Sequence, residues 1–339
     1  MAPTAPKKMP YVRLGSSGLK VSKIILGMMS YGDPRWNSWV LSEDEAIKHI
    51  KAAYDAGIQT FDTSDVYSNG ESEIILGKAI KQLGLPRDEI VVMTKLFHAI
   101  PKDQTFLIMK QNQYSEIGYH IFDSVKHSLE RLQLDYIDLY QCHRFDYETP
   151  LEETVALHDI VQAGYVRYIG MSSCWAWQFH VMQNYALTHQ LTPFISMQNQ
   201  HSLIYREEER EMFPTLKYFG VGAIPWSPLA RGLLTRSMAE QAKTKREETD
   251  FAINLLKVSP GRADITNRVE EIARKKGITM AQVALAWSLS KDFVSAPIVG
   301  TTSLKNLEDL IDAVHVTLTE DEIRYLEEPY KPMGAMGFH

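Results

Sequence analysis

Four side chains of the kind that move protons, Asp62, Tyr67, Lys95 and His143, stand at or just past the ends of short apolar runs. Asp62 and Tyr67 lie in the stretch FDTSDVYSNGESE, residues 61–73, which turns through Asn69-Gly70. Lys95 closes the run Ile-Val-Val-Met-Thr-Lys, and a lysine inside such a run needs an anion beside it. Asp62 is the natural partner if the two runs are neighbouring strands. A phenol alone is too weak an acid for work at neutral pH, and an adjacent ammonium favours its phenolate form. A histidine from the next run could hydrogen-bond the group that reacts. Asp, Tyr, Lys and His around one point would make a general acid suited to protonating a carbonyl oxygen. None of the four is a good covalent nucleophile, so hydride from a bound cofactor completes the chemistry. Each residue has a plainer reading: a turn cap, a loop aromatic, a lysine reaching for solvent, a core histidine. All four plain readings holding at three adjacent strand ends is the weaker account.

The elements that must position these groups are legible. Eight short apolar runs read as buried strands: 24–27, 58–63, 90–95, 136–142, 166–172, 194–198, 221–226 and 296–300. Helical patterns alternate with them over 43–54, 71–83, 121–132, 151–162, 175–187 and 207–218, with two more over 265–275 and 280–289. Ser42 and Glu45 have the spacing of a capping box. The acidic first turn Glu71-Ser72-Glu73 reads as compensation of a helix dipole. Repeated β then α means parallel strands with helical crossovers, and eight units predict a closed (β/α)8 TIM barrel spanning residues 1–339 as a single domain. The first ten residues read as disordered and 331–339 as a tail. An open doubly wound sheet would carry GxGxxG after an early strand, and the chain has none. The polar stretch 236–262 reads as a long mobile loop at the barrel mouth.

Composition narrows the classes. A net charge of -6 gives no basic excess for nucleic acid or an anionic membrane. Only two cysteines, Cys142 and Cys174, point to a reducing compartment and a cytoplasmic protein. No stretch reaches 18 apolar residues, and no signal peptide opens the chain. The 11 histidines form no HExxH, so no metal site is expected. Cys142 and His143 are adjacent on a strand and face opposite sides, which argues against a nucleophile pair.

The stretches GIQTFDTSDVYSNGESE, VVMTK, LDYIDLYQCHR, VRYIGMSS, PWSPLARGLL, TMAQVALAW and APIVGTTSLKNLEDL together resemble the aldo-keto reductase family over roughly Tyr11 to Tyr330. LEEPY near the end is similar to the fungal aryl-alcohol dehydrogenase and versiconal hemiacetal acetate reductase-like group. The resemblance implies NADPH, or NADH, across the barrel mouth and a small-molecule carbonyl substrate. It implies Tyr67 as proton donor, tuned by Lys95 and Asp62, with His143 placing the carbonyl. It implies cofactor contacts from Gly27, Met28 and Asp62, and from Ser172, Ser173 and Gln198 at the carboxamide. Trp226 would stack on the nicotinamide. Ser227, Leu229, Arg231 and Gly232 would lie on the pyrophosphate side, and Gly300, Thr301, Thr302, Ser303, Asn306 and Asp309 at the adenosine phosphate. Free N–H groups and hydroxyls at a helix start suit an anion whatever the name. Asn306 stands where many relatives carry an arginine for the 2′-phosphate, and Leu310 where an asparagine is usual; Lys305, Lys245 or Arg246 are the available substitutes. Tyr31, Trp36, Trp39 and Phe97 belong to mouth loops and imply an aromatic substrate, with Tyr31, Trp36, Phe97 and His143 as its contacts. A monomer or weak homo-oligomer is expected. The alternatives are a cofactor-binding, channel-type subunit with little turnover, and physiological oxidation of an aryl alcohol.

Overall fold

A computed structural model describes residues 9–338 except 99, 101–116, 151–154, 241–245 and 247–248. An antiparallel hairpin comes first, β1 (Tyr11–Arg13) and β2 (Lys20–Ser22). Then strand and helix alternate: β3 (Ile25–Gly27), α1 (Glu43–Asp55), β4 (Thr60–Asp62), α2 (Glu71–Gln82), β5 (Val91–Leu96), α3 (Ile117–Leu132), β6 (Ile137–Cys142), α4 (Ala156–Gln162), β7 (Val166–Ser172), α5 (Ala176–Thr188), β8 (Phe194–Gln198), α6 (Met212–Phe219) and β9 (Gly222–Ala223). Three helices follow, α7 (Phe251–Lys257), α8 (Arg262–Lys276) and α9 (Met280–Leu289), before β10 (Ile298–Val299), α10 (Leu304–Asp312) and α11 (Glu320–Glu327).

Strands β3 to β9 pair in parallel, each with the next, and β10 pairs with β3. The last gap is bridged by Ser295 N donating to Ala223 O at 2.8 Å and Ile298 N to Pro225 O at 2.9 Å. The result is the (β/α)8 barrel that the alternation predicts. Its interior is packed by Ile25, Met93, Leu139, Ile224, Ala296 and Ile298, with Leu14 and Val21 of the hairpin segment in the same cluster. A second layer, between strands and helices, buries Phe61, Val92, Tyr140, Ile169 and Met197. Successive strand residues alternate between these layers, so residues buried on both sides read as continuous apolar runs.

Register places the polar strand ends at one level. Asp62 pairs with Met93, and two residues on, Lys95 pairs with Gln141. Lys95 therefore shares the inner face with Met93, beside Asp62. Gly170 is needed at this level: a Cβ there would sit 2.3 Å from Ser196 Oγ and 3.2 Å from Gln141 Cγ.

Several local expectations are corrected. Ser42 makes no capping bond, and the Glu45 side chain pairs with Lys48 at 2.6 Å; complete capping boxes occur instead at Thr279/Gln282 and Thr319/Glu322. The pattern over 207–218 divides into a 3-10 turn, Glu207–Glu209, and α6. The stretch 236–262 is not all loop, since it contains α7 and the start of α8. Met9 is buried against the first core although residues 1–10 read as disordered; Tyr11 anchors this end by donating to Gly57 O at 2.6 Å. Glu73 is no simple dipole partner. It is fully buried, accepting from Arg131 at 2.6 Å and Thr94 Oγ1 at 2.5 Å, and so ties α2 to α3 and β5.

Glu208 is a buried carboxyl outside the barrel mouth, with Asn199 Nδ2 donating to it at 2.8 Å and the Tyr205 hydroxyl at 3.4 Å. Burial pushes its pKa up to about 8, against the pull of those two donors. The folded state thus holds a proton that the unfolded chain releases near pH 4.5, so this group's stabilisation is complete below that pH and is lost as pH rises through about 8. Glu208→Gln is expected to remove that alkaline loss. Melting temperatures followed from about pH 4.5 to pH 9 should be closest for the two proteins at the acid end and increasingly favour the variant up to about pH 8; a parallel decline would refute the assignment.

Candidate active site

At the C-terminal ends of β4, β5 and β6, Lys95 Nζ donates to Asp62 Oδ2 and to the Thr63 carbonyl, both at 2.7 Å, and lies 3.4 Å from the Tyr67 hydroxyl. Lys95 is fully buried and Asp62 is 2% exposed. Burial by itself would lower the pKa of the Lys95 ammonium; attraction to Asp62 and Tyr67, with their hydrogen bonds, outweighs it and holds the group raised and charged. The other Asp62 oxygen, Oδ1, accepts from Gln141 Nε2 at 3.0 Å and Gln198 Nε2 at 2.9 Å. The carboxylate is thereby fixed by three donors from three further strands, which offsets the cost of burying it.

Tyr67 is delivered by the turn that leads from β4 into α2. Ser68 and Asn69 adopt left-handed backbone at φ 49° and 55°, and Gly70 follows at 88° before α2 begins. Left-handed residues cost roughly 1–3 kcal/mol each, so a strained turn holding one phenol over one ammonium is a mark of function. The His143 ring lies 6.0 Å from the Tyr67 ring, nearly perpendicular to it. Its Nδ1 is 3.3 Å from Ser64 Oγ, which is also 3.1 Å from Asp65 Oδ1. Burial holds the His143 pKa well below the ordinary histidine range, and the charges on Arg144 and Lys95 add to this. The imidazole is therefore neutral at neutral pH and able to offer one ring nitrogen as a donor and the other as an acceptor. The neighbouring His98 is depressed to about 4, again by burial and then by Arg144.

A cavity of about 1220 Å³ opens over these residues. It is lined by Asp62, Tyr67 and His143, and by nearly every residue expected at a cofactor: Gly27, Met28, Ser172, Gln198, Trp226, Ser227, Leu229, Arg231, Gly232, Gly300, Thr301, Thr302, Asn306 and Asp309. Two expected contacts are not on its wall. Ser173 is buried and accepts from Trp226 Nε1 at 3.2 Å, so it supports the indole from outside the cavity. Ser303 is the N-cap of α10, with its Oγ accepting from Asn306 N at 3.4 Å.

The wall fits a nucleotide carrying phosphates. Ser227 and Arg231 on the wall, and Ala230 between them, hold left-handed backbone. Arg231 pairs with Asp250 at 2.6 Å, yet its Nε is buried with no partner among the described residues, a donor suited to an acceptor in the cavity. Arg246 reaches the same Asp250 at 3.0 Å and lies over the Trp39 ring at 4.5 Å. At the other side Thr301, Thr302 and Lys305 border the start of α10. Lys245 lies outside the described residues.

The substrate contacts are only partly as expected. Trp36 and Trp39 line the cavity, with Trp36 6.4 Å from the Tyr67 ring. Tyr31 is fully buried, with its hydroxyl 3.1 Å from His49 Nδ1, and does not line the cavity. Phe97 packs against the core and leaves the wall to His98, whose ring it meets at 4.9 Å. An aromatic in a loop carries no sequence signal of which way it turns. Residue-type reasoning also passed over Gln141, His98, Ser64 and Arg144. For Gln141 a signal existed, since it sits at a strand end one residue before Cys142 and beside Lys95 in the next strand. The tail contributes too. Gly337, at φ 86°, lies where a Cβ would meet the Trp226 ring at 3.3 Å, and Phe338 packs on Trp175 at 4.6 Å between ring centres.

A sequence model described as the aldo/keto reductase family matches residues 23–331. The versiconal hemiacetal acetate reductase of Aspergillus parasiticus is 48% identical over 338 residues, 96% of this chain and 98% of that protein. A Schizosaccharomyces pombe protein provisionally named an aryl-alcohol dehydrogenase is 48% identical over 344 residues, 96% of this chain and 97% of its own. An aldo-keto reductase of Alternaria alternata is 44% identical over 345 residues, 96% and 93% of the two chains.

Proposed function

The chain belongs to the aldo/keto reductase family, and on that premise we propose that it reduces aldehydes and ketones, aromatic ones by preference, using NADPH with NADH as the weaker donor. The observation that carries the reading is the buried Asp62–Lys95 pair, with its ammonium 3.4 Å from the Tyr67 hydroxyl on the floor of a cavity. A reduced nicotinamide bound in that cavity supplies the hydride. Trp226, Ser172 and Gln198 would hold its ring end. Ser227, Leu229 and Arg231 would hold the pyrophosphate, and Thr301, Thr302, Lys305 and Asn306 the adenosine phosphate.

The protein's own part is proton delivery and placement. Tyr67 gives its proton to the carbonyl oxygen as negative charge develops there, and Lys95 stabilises the phenolate left behind. Asp62 fixes Lys95, and Gln141 and Gln198 fix Asp62. His143, in the tautomer with its proton on Nε2, donates a hydrogen bond to the same carbonyl. Trp36 and Trp39 give a flat substrate apolar surface and exclude water. Cys142 and Cys174 are both free and buried, which suits a reducing compartment such as the cytoplasm.

The test is absorbance of the reduced cofactor with purified protein, NADPH or NADH, and aromatic aldehydes such as nitrobenzaldehyde and veratraldehyde. Loss of absorbance that needs both protein and aldehyde is expected, faster with NADPH. Quenching of tryptophan fluorescence by the cofactor without turnover of any carbonyl would favour a cofactor-binding subunit instead.

A further inference from the structure

Arg144 follows His143 at the end of β6 and lines the cavity. Several other partly buried arginines around the barrel are held by a carboxylate: Arg87 by Asp138, Arg131 by Glu73, Arg206 by Glu209, and Arg231 and Arg246 by Asp250. Among the described residues Arg144 has none. One guanidinium nitrogen, Nη1, donates to the neighbouring His143 carbonyl at 2.5 Å. The groups whose charge reaches it are Arg231, which repels it, and Tyr67 and Cys174, which attract it only when ionised. A guanidinium has five N–H donors in a planar fork that matches two-oxygen anions. Holding such a group inside a cavity with no anion is unfavourable, and burial lowers its pKa to about 10, which still leaves it charged at neutral pH.

The position says which anion it awaits. Its neighbours are Tyr67, His98 and His143, the proton-delivery end of the cavity. Of the expected phosphate contacts, Thr301 and Thr302 border the start of α10, and Arg231, near enough to repel Arg144, is held by Asp250 at 2.6 Å. We propose that Arg144 sets substrate specificity by receiving a carboxylate carried on the same molecule whose carbonyl is reduced at Tyr67. The preferred substrates are then oxo-acids, aromatic aldehydes or ketones bearing a carboxylate. This rests on the reductase reading above and adds the charge of the substrate to it.

The experiment compares 2-, 3- and 4-carboxybenzaldehyde with benzaldehyde and the corresponding methyl esters, in wild type, Arg144→Gln and Arg144→Lys. A hydrogen bond to a charged group predicts that Arg144→Gln loses about 10- to 100-fold in kcat/KM for the best carboxybenzaldehyde isomer. It should change the neutral aldehydes by no more than about threefold, and Arg144→Lys should recover part of the loss. Binding of the non-reducible toluate and toluamide to the protein with its oxidised cofactor, followed by tryptophan fluorescence, gives a readout independent of turnover. Toluate affinity should fall in Arg144→Gln and toluamide affinity should not. Equal losses for charged and neutral aldehydes would mean that Arg144 acts on Tyr67 and not on substrate charge, and would overturn the proposal. A variant that instead binds NADPH more weakly with unchanged carboxylate preference would assign the arginine to the cofactor and overturn it equally. If no aldehyde turns over in wild type, the reductase reading fails, and equal toluate affinity in wild type and variant would then sink the Arg144 proposal as well.

Discussion

Tyr67→Phe is expected to lower kcat for carbonyl reduction by about 10²- to 10⁴-fold, the range that a positioned general acid contributes. The change removes one oxygen, the one 3.4 Å from Lys95 Nζ, and leaves the ring against Trp36 and His143. The Phe variant should therefore fold normally, and cofactor titration by fluorescence should give the wild-type affinity. No other group can take over. His143 is held neutral by burial, and Lys95 is tied to Asp62 and the Thr63 carbonyl beneath the cavity. A variant keeping more than about a tenth of the wild-type rate would show that the proton reaches the carbonyl oxygen by another route.

Lys95→Met is the second large effect, and it acts on stability as well as rate. It leaves the Asp62 carboxylate buried with only the Gln141 and Gln198 amides around it. Removing one partner of a buried ion pair costs about 3–5 kcal/mol. In a chain of this size that lowers the melting temperature by roughly 4–7 °C. Activity should fall as well, because nothing then stabilises the Tyr67 phenolate. The double variant Asp62→Asn/Lys95→Met separates the two effects. It removes both charges, so most of the lost stability should return while the activity stays lost. Thermal melts and initial rates on wild type and these two variants decide it. A single Lys95→Met variant as stable as wild type would mean that the pair is far better solvated than its 2.7 Å bond and burial imply.

The barrel was legible because its evidence is local. Eight apolar runs, each flanked by helix patterns, report strands buried on both faces, and all eight strands formed where those runs lie. The shorter misreadings have local causes too. Ser42 makes no cap while the Glu45 side chain pairs with Lys48, and α7 is an apolar but very short segment, FAINLLK, set inside a polar stretch.

The site divides along the same line. Asp62 and Lys95 could be paired from the sequence because adjacent parallel strands bring their ends together and a buried ammonium demands an anion. The phosphate side could be expected because a helix start with Thr301, Thr302 and Ser303 offers donors by composition alone. The partners of partners could not. Gln141 and Gln198 reach Asp62 across 79 and 136 residues, and only the register of the sheet and the closing of the barrel bring them within 3.0 Å. Tyr31 turns into the core toward His49 while Trp36, five residues on, faces Tyr67, although both are aromatics of one loop. Arg144 reads in the sequence as an ordinary arginine among many. That no carboxylate stands beside it among the described residues belongs to no single stretch of chain. A long side chain's partner is a property of the packed surface, not of the local pattern.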